Sequence, residues 1–398
     1  MTTLNRREFL RIGALTAAAT VASACAVPAP SAEPIPAGGA QPPAGVVPPT
    51  AAPIAPPPAA APPKFGEAPM LAEQVAAGSL PPVEERLPEN PSVYPVPEMI
   101  GKYGGVLRRG FSGMSDATGL QKLRAVGLVH FNADLSQRPD IVESYELSED
   151  ATTFTLHLRK GMKWSDGAPF TADAFMWWYE KIELNTELTP RRTLIDGAKE
   201  PGEFRKLDDY TLEIAFPNPL PLYVPKQARN APVAPGHYLE QFHIETAEDP
   251  DAVVKEATDK GFDTWFKYFA DRNDWRVNEA LPTLCPWVFQ NTLASELHVM
   301  TRNPYFLGVD PDGNQLPYID EVHHRLFGNI DVFAMWVVSG EIDWQGRWME
   351  QLDYTLIKSS EQQGGYRTFL WPRDAGESIW LNPGPKSERV REFLSDRN

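Results

Sequence analysis

From Ala26 to Pro63 the chain is written almost entirely in Pro, Ala, Gly and Val, and Glu33 is its lone charge. No helical or strand periodicity runs through it. Proline fixes φ and removes a backbone donor, so the stretch favours extended polyproline II and reads as a semi-rigid spacer. The same composition also fits a disordered tail with no role. In both cases any packed core must lie beyond it. Phe65 to Met99 reads as a polar, proline-punctuated arm with one helical-looking piece, Met70 to Gly78. From Ile100 onward, aromatics, alternating apolar residues and turn signals describe a globular region of about 300 residues, enough for one large or two modest domains.

The segment ahead of the spacer reads as an export signal. Asn5-Arg6-Arg7-Glu8-Phe9-Leu10-Arg11 gives a twin arginine, and Ile12 to Ala22 gives a modest apolar stretch. That stretch is too short, and too rich in Ala, Gly and Thr, to span a bilayer. Val21-Ala22-Ser23-Ala24-Cys25 then sets small residues directly before a cysteine. This order resembles a lipobox, in which Cys25 carries the lipid and becomes the mature N-terminus. The alternative is cleavage after Ala22-Ser23-Ala24 with Cys25 incidental. A twin-arginine route implies folding before export.

The formal net charge is -16, with no basic run, which argues against a nucleic-acid partner. The two cysteines are Cys25 and Cys285. With Cys25 acylated no internal disulfide can form, and the count excludes a thiolate zinc site. No cofactor or metal is expected.

Strands are expected at Gly104–Gly110, Thr152–Arg159, Leu297–Arg302 and Glu321–Phe327, with a strand pair across Phe204–Phe216 turning at Lys206–Tyr210. Helices are expected at Leu120–Val129, at Ala174–Lys181 behind a Thr171-Ala172-Asp173 cap, at Val332–Val338 ended by Ser339-Gly340, and starting at Ser387–Ser395. Tyr366–Leu381 reads as mostly strand, and Asn303–Asp320 as a turn-rich loop. The alternation of elements makes the class α/β or α+β.

Leu158-Arg159-Lys160-Gly161-Met162-Lys163-Trp164-Ser165-Asp166-Gly167-Ala168-Pro169-Phe170-Thr171-Ala172-Asp173 closely resembles the signature segment of the peptide- and nickel-type (family 5) extracytoplasmic solute-binding proteins of ABC importers. Gly104-Gly105-Val106-Leu107, Arg302-Asn303-Pro304-Tyr305, Leu316-Pro317-Tyr318-Ile319-Asp320 and Gly340-Glu341-Ile342-Asp343 resemble further blocks in the family's order. Pro286-Trp287 stands where many members have Gly-Pro-Tyr. The resemblance covers Ile100 to the end. It implies a type II periplasmic-binding-protein-like fold, α/β, with two lobes that close by a hinge around a ligand. With the signal, spacer and arm read above, the chain divides into a twin-arginine lipoprotein signal (1–25), a Pro/Ala-rich linker (26–64), an extended arm (65–99) and, as the resemblance implies, lobe I (100–355) and the start of lobe II (356–398). The pattern of the family then expects most of lobe II and the C-terminal return beyond the last residue, so that a cleft with one wall buries little of a ligand.

Candidate ligand-facing residues are Phe111, Ser112, Met114 and Asp116, in a loop after the first strand, where α/β folds border their clefts. Asp116 suits a ligand amine or an Asx-turn equally. Trp344 and Gln345 follow Asp343 near the expected crossover, and Trp371 and Arg373 lie on the strand entering lobe II. Trp164 and Asp166 read as a structural turn, and Trp177-Trp178-Tyr179 as core. Asp310, Asp312, Asn314 and Glu321 mimic an EF-hand, but Gln315 replaces the required Gly, and a plain turn fits better. His323 and His324 face opposite ways on a strand. Cys285 reads as a buried thiol. No Gly-x-Ser-x-Gly, His-Glu-x-x-His or phosphate-loop motif occurs.

The resemblance thus implies a non-enzymatic receptor that captures oligopeptides and delivers them to ABC importer permease subunits, as a lipid-anchored extracytoplasmic monomer. An oligosaccharide ligand stays open, since sugars stack on aromatic faces. A truncated, non-functional remnant is a further alternative. An exported hydrolase would need paired carboxylates, for instance among Glu143, Glu146 and Glu149, and their spacing shows no acid–base pair.

Overall fold

The computed structural model describes residues 64–190, 202–370 and 387–389. The signal, the spacer, Cys25, Trp371, Arg373 and most of the 366–395 segment lie outside the described residues. The strands, in chain order, are β1 (Ser92–Val93), β2 (Val106–Phe111), β3 (Val129–Phe131), β4 (Gln137–Pro139), β5 (Val142–Leu147), β6 (Thr153–Leu158), β7 (Glu203–Asp208), β8 (Thr211–Ala215), β9 (Trp287–Phe289), β10 (Leu297–Arg302), β11 (Gly308–Val309) and β12 (Glu321–Leu326). They make two four-stranded sheets, β2-β12-β10-β9 and β5-β6-β8-β7, and two small pairs, β1-β11 and β3-β4. The larger pairs are antiparallel except β2 with β12, which run parallel.

The second sheet follows directly from alternation. Phe154, Leu156 and Leu158 of β6 point to one face, and Leu212 and Ile214 of β8 join them. Side chains on a strand alternate with period two, so these residues share one core. Trp164 and Phe170 pack into the same core, edge to face at 5.6 Å. The signature turn is therefore structural, and Asp166 accepts from the Ala168 N–H and pairs with His237 at 2.8 Å. Trp177 stacks on Phe269, and Tyr179 stacks on Phe204 at 4.7 Å, as core.

Several local expectations change. The helix expected over Leu120–Val129 runs only Thr118–Arg124, and Val129 begins β3. The chain turns extended at Ala125 and then passes Gly127, where no side chain fits. A Cβ there would meet the Gln227 carbonyl oxygen at 2.1 Å, so the chain must pass this point extended and close. The helix at Asp173–Trp177 has Ala172 at its N-cap position, with no side-chain cap from that residue. It continues as a π-helical turn, Trp178–Glu183. Cys285 is half-buried, and its Sγ donates to the Arg124 carbonyl at 2.9 Å.

The EF-hand-like loop is a closed turn. Asp310 Oδ1 accepts from the Asp312 and Asn314 N–H groups at 2.9 Å. Its Oδ2 accepts from Asn314 Nδ2 and the Tyr318 hydroxyl at 2.8 and 2.6 Å. Burial alone would raise the Asp310 pKa, but these bonds outweigh it and hold the carboxylate low.

The arm is docked. Its helix spans Pro69–Ala76. Strand β1 pairs parallel with β11. Arg86 is fully buried, donating to the Pro81 and Pro304 carbonyls at 3.0 and 2.6 Å, to Gln315 Oε1 at 2.9 Å, and to the Glu67 carboxylate.

Candidate functional site

Strand β2 is the edge of its sheet, and an edge leaves backbone donors and acceptors open. The segment after Gly340 fills them. The Arg108 carbonyl accepts from the Asp343 N–H at 2.9 Å. The Arg108 N–H donates to Asp343 Oδ2 at 2.7 Å. One step along, the Gly110 N–H donates to Gln345 Oε1 at 3.4 Å, and Gln345 Nε2 returns to the Gly110 carbonyl at 3.3 Å. Two side chains thus imitate the next strand. The Arg108 guanidinium clamps Asp343 bidentately, at 3.0 and 2.6 Å. Burial would raise the Asp343 pKa, but the bonds from Arg108 outweigh it and lower it.

With its neighbours on either side pinned, Trp344 turns outward and stays 42% exposed. Arg109 lies over its ring, Cζ at 4.5 Å from the centroid. Arg109 itself is buried, donating to the Trp344 carbonyl at 3.2 Å and the Gly119 carbonyl at 2.9 Å. Burial brings its pKa down to about 10, which leaves it charged at neutral pH.

Asp116 closes the site from the other side. It is buried, and accepts from the Ser112 N–H at 3.2 Å, Arg347 Nε at 2.9 Å and Trp348 Nε1 at 2.6 Å. Trp348 has φ +61°, an uncommon conformation for a bulky residue, held by these bonds. Its ring packs edge to face on Phe327 at 6.1 Å and remains partly exposed.

Of the residues expected to face a ligand, Ser112, Met114 and Trp344 are exposed. Gln345 is committed to the β2 edge. Phe111 does not offer its ring here, because the last residue of β2 points into the core beside Leu120 and Met300. Asp116 serves the chain's own structure, since three donors of the chain itself take its carboxylate. Arg109, Arg347 and Trp348 were not expected. Of the three, Trp348 alone has a local signal, the pairing of Trp344 and Trp348 about Gly346.

The arrangement presents two indoles on a fixed frame, suited to stacking and apolar contact rather than bond making. Among the described residues, no group of three or more His, Cys, Asp or Glu side chains is placed to hold a metal ion. Glu143 and Glu146 are exposed on β5, the former accepting from Asn90 at 2.9 Å.

Residues 136–396 match the profile of the bacterial extracellular solute-binding proteins, family 5 Middle, and the chain belongs to this family. The periplasmic alpha-galactoside-binding protein of Rhizobium meliloti (strain 1021) is 29% identical over 358 residues, covering 80% of this chain and 48% of that protein. The solved structure of an oligopeptide-binding protein OppA superposes with a TM-score of 0.72 at 38% identity, over 76% of this chain and 48% of that one. The periplasmic binding protein MelB of Agrobacterium fabrum C58, solved with stachyose, gives a TM-score of 0.59 at 27% identity, over 75% and 45% of the two chains. The mixed α/β fold is therefore that of the family 5 periplasmic binding proteins. The chain spans about half the length of these relatives, and all three are named as binding proteins.

Proposed function

We propose that this chain builds the first-lobe wall of an extracytoplasmic receptor that captures oligopeptides and delivers them to the permease subunits of an ABC importer. In this reading residues 100–355 make lobe I and 356–398 begin lobe II. The observation that carries it is the pair of partly exposed indoles, Trp344 and Trp348, fixed by Asp116, Asp343 and Gln345. A rigid apolar surface loses little entropy when a ligand seats on it. The likeness to an oligopeptide-binding protein, at 38% identity, favours peptides.

A second reading, an oligosaccharide receptor, is favoured by the exposed indole faces and by the alpha-galactoside-binding relative. Export through a twin-arginine signal and lipid attachment at Cys25 belong to both readings, as does a monomeric state. Among the described residues no helix is long and apolar enough to cross a membrane.

The native protein, isolated from its own cells, decides between ligands in a thermal-shift panel of tri- to pentapeptides, raffinose and stachyose. A ligand at a hundred times its Kd stabilises by about 2.7 kcal/mol. Peptides are expected to raise Tm and the galactosides to leave it unchanged. Stabilisation by raffinose or stachyose alone would sink the peptide claim.

A further inference from the structure

A concavity whose lining includes neither Trp344 nor Trp348 lies elsewhere on the chain. It opens where the arm, the end of the Thr118–Arg124 helix, β3 and the 303–320 loop meet. Its volume is about 340 Å³, within the range of small-molecule sites. The walls are ring faces and aliphatic carbons. Tyr94 lies 5.8 Å from Phe306 and 6.1 Å from His130, centroid to centroid, and Leu123 and Pro317 complete the lining. The hydroxyls of Tyr94 and Tyr318 are committed elsewhere, to Asp140 at 2.8 Å and Asp310 at 2.6 Å. Both tyrosines therefore give this space their rings.

Among the described residues, the charged side chain on the lining is Lys122. It has no hydrogen-bond or ion-pair partner among the described residues. The Arg138 guanidinium sits over the Tyr94 ring at 4.0 Å, with Nε and Nη2 buried and unpartnered. His130 Nδ1 is likewise buried with no partner, and in one tautomer it is a donor. Buried donors without acceptors are uncommon and call for a ligand or a water. Asp140, the carboxylate beside Tyr94, already accepts from that hydroxyl and from the Gly127 N–H. In a chain of formal net charge -16, this concavity carries a cation and no carboxylate on its lining.

We propose that this concavity binds a small apolar carboxylate, with its hydrocarbon body between Tyr94, Leu123 and Phe306 and its carboxylate at Lys122. Size and lining fit an arylacetic acid or a branched aliphatic acid. Its lining includes neither Trp344 nor Trp348, and the site does not depend on what that surface binds.

Phenylacetate and its neutral isostere phenylacetamide are titrated into the purified full chain by saturation-transfer NMR. Phenylacetate is expected to bind about fivefold more tightly than the amide, the weight of one partly exposed ion pair. Lys122→Ala should erase that preference, weakening phenylacetate about fivefold and leaving phenylacetamide unchanged. Lys122 is exposed, so the variant keeps the fold. Trp344→Ala should alter neither. The proposal is overturned by absence of phenylacetate binding, by equal affinity for acid and amide in the parent chain, or by binding that is lost with Trp344→Ala and kept with Lys122→Ala.

Discussion

Replacing Asp116 by Ala tests how the Trp344–Trp348 surface is held. The carboxylate is 5% exposed and accepts three hydrogen bonds, from Ser112, Arg347 and Trp348. A hydrogen bond to a charged group contributes about 1.5–3 kcal/mol, and such contributions do not add in full. The side chains of Arg347 and Trp348 are partly exposed, so water recovers part of what each loses. The expected cost is therefore about 2–3 kcal/mol rather than the sum. Equilibrium unfolding in urea measures it, and Asp116→Asn separates charge from shape. The amide keeps the volume but can accept at one oxygen only, so it should recover less than half of the loss. Ligand affinity should fall in the same variants, because Trp348 at φ +61° relaxes once its indole N–H is released. An Asp116→Ala chain whose stability lies within about 0.5 kcal/mol of the parent, the range of an ordinary surface change, would refute this account.

Three further outcomes are expected. Arg86→Ala breaks the ion pair with Glu67 and three further hydrogen bonds, of which those to Pro304 and Gln315 dock the arm, and should cost about 3–5 kcal/mol, with limited proteolysis cutting first between the arm helix and β1. Leu156→Ala, at the centre of the second sheet and 0% exposed, should cost about 2–5 kcal/mol by urea unfolding with an unchanged ligand profile. His324 is held down to about 3 by burial, then by Arg109 and His298, against an ordinary 6.5. The unfolded chain therefore binds more protons between those values, so stability from the neutral ring is complete above about pH 6.5 and is lost as pH falls toward 3. His324→Phe should lower the acid slope of stability by about 1.4 kcal/mol per pH unit in that window, and an unchanged slope would count against the buried neutral ring.

The second sheet is legible in the sequence because its strands bury one face only. Phe154, Leu156 and Leu158 alternate with polar residues, and no distant contact is needed to read them. The Asn303–Asp320 loop is legible for a related reason: Asp310 folds onto donors within eight positions. The failures are tertiary. Beyond the helix the chain is held extended at Gly127 and Leu128 against the Gln227 carbonyl, far along the chain. Asp116 reads locally as a turn former, and it does accept from Ser112, but Arg347 and Trp348 reach it from 231 and 232 positions away. The imitation of a strand by Asp343 and Gln345 has no periodic trace, since side chains there replace backbone groups. Phe111 misleads because strand parity at the end of β2, and not the start of the loop, decides where its ring points.

The distances along the chain also set a timetable. Strands β5 to β8 can close on one another as soon as residue 215 has been made. Arg86 must wait for Pro304, 218 positions later, and Arg108 for Asp343, 235 positions later. At ordinary synthesis rates that is a delay of about 10–50 s, during which β2 has no strand partner and β1 waits for β11, while the second sheet is already in place. The molecule is therefore assembled from its middle outward, and its first folded residues are among the last to find where they belong.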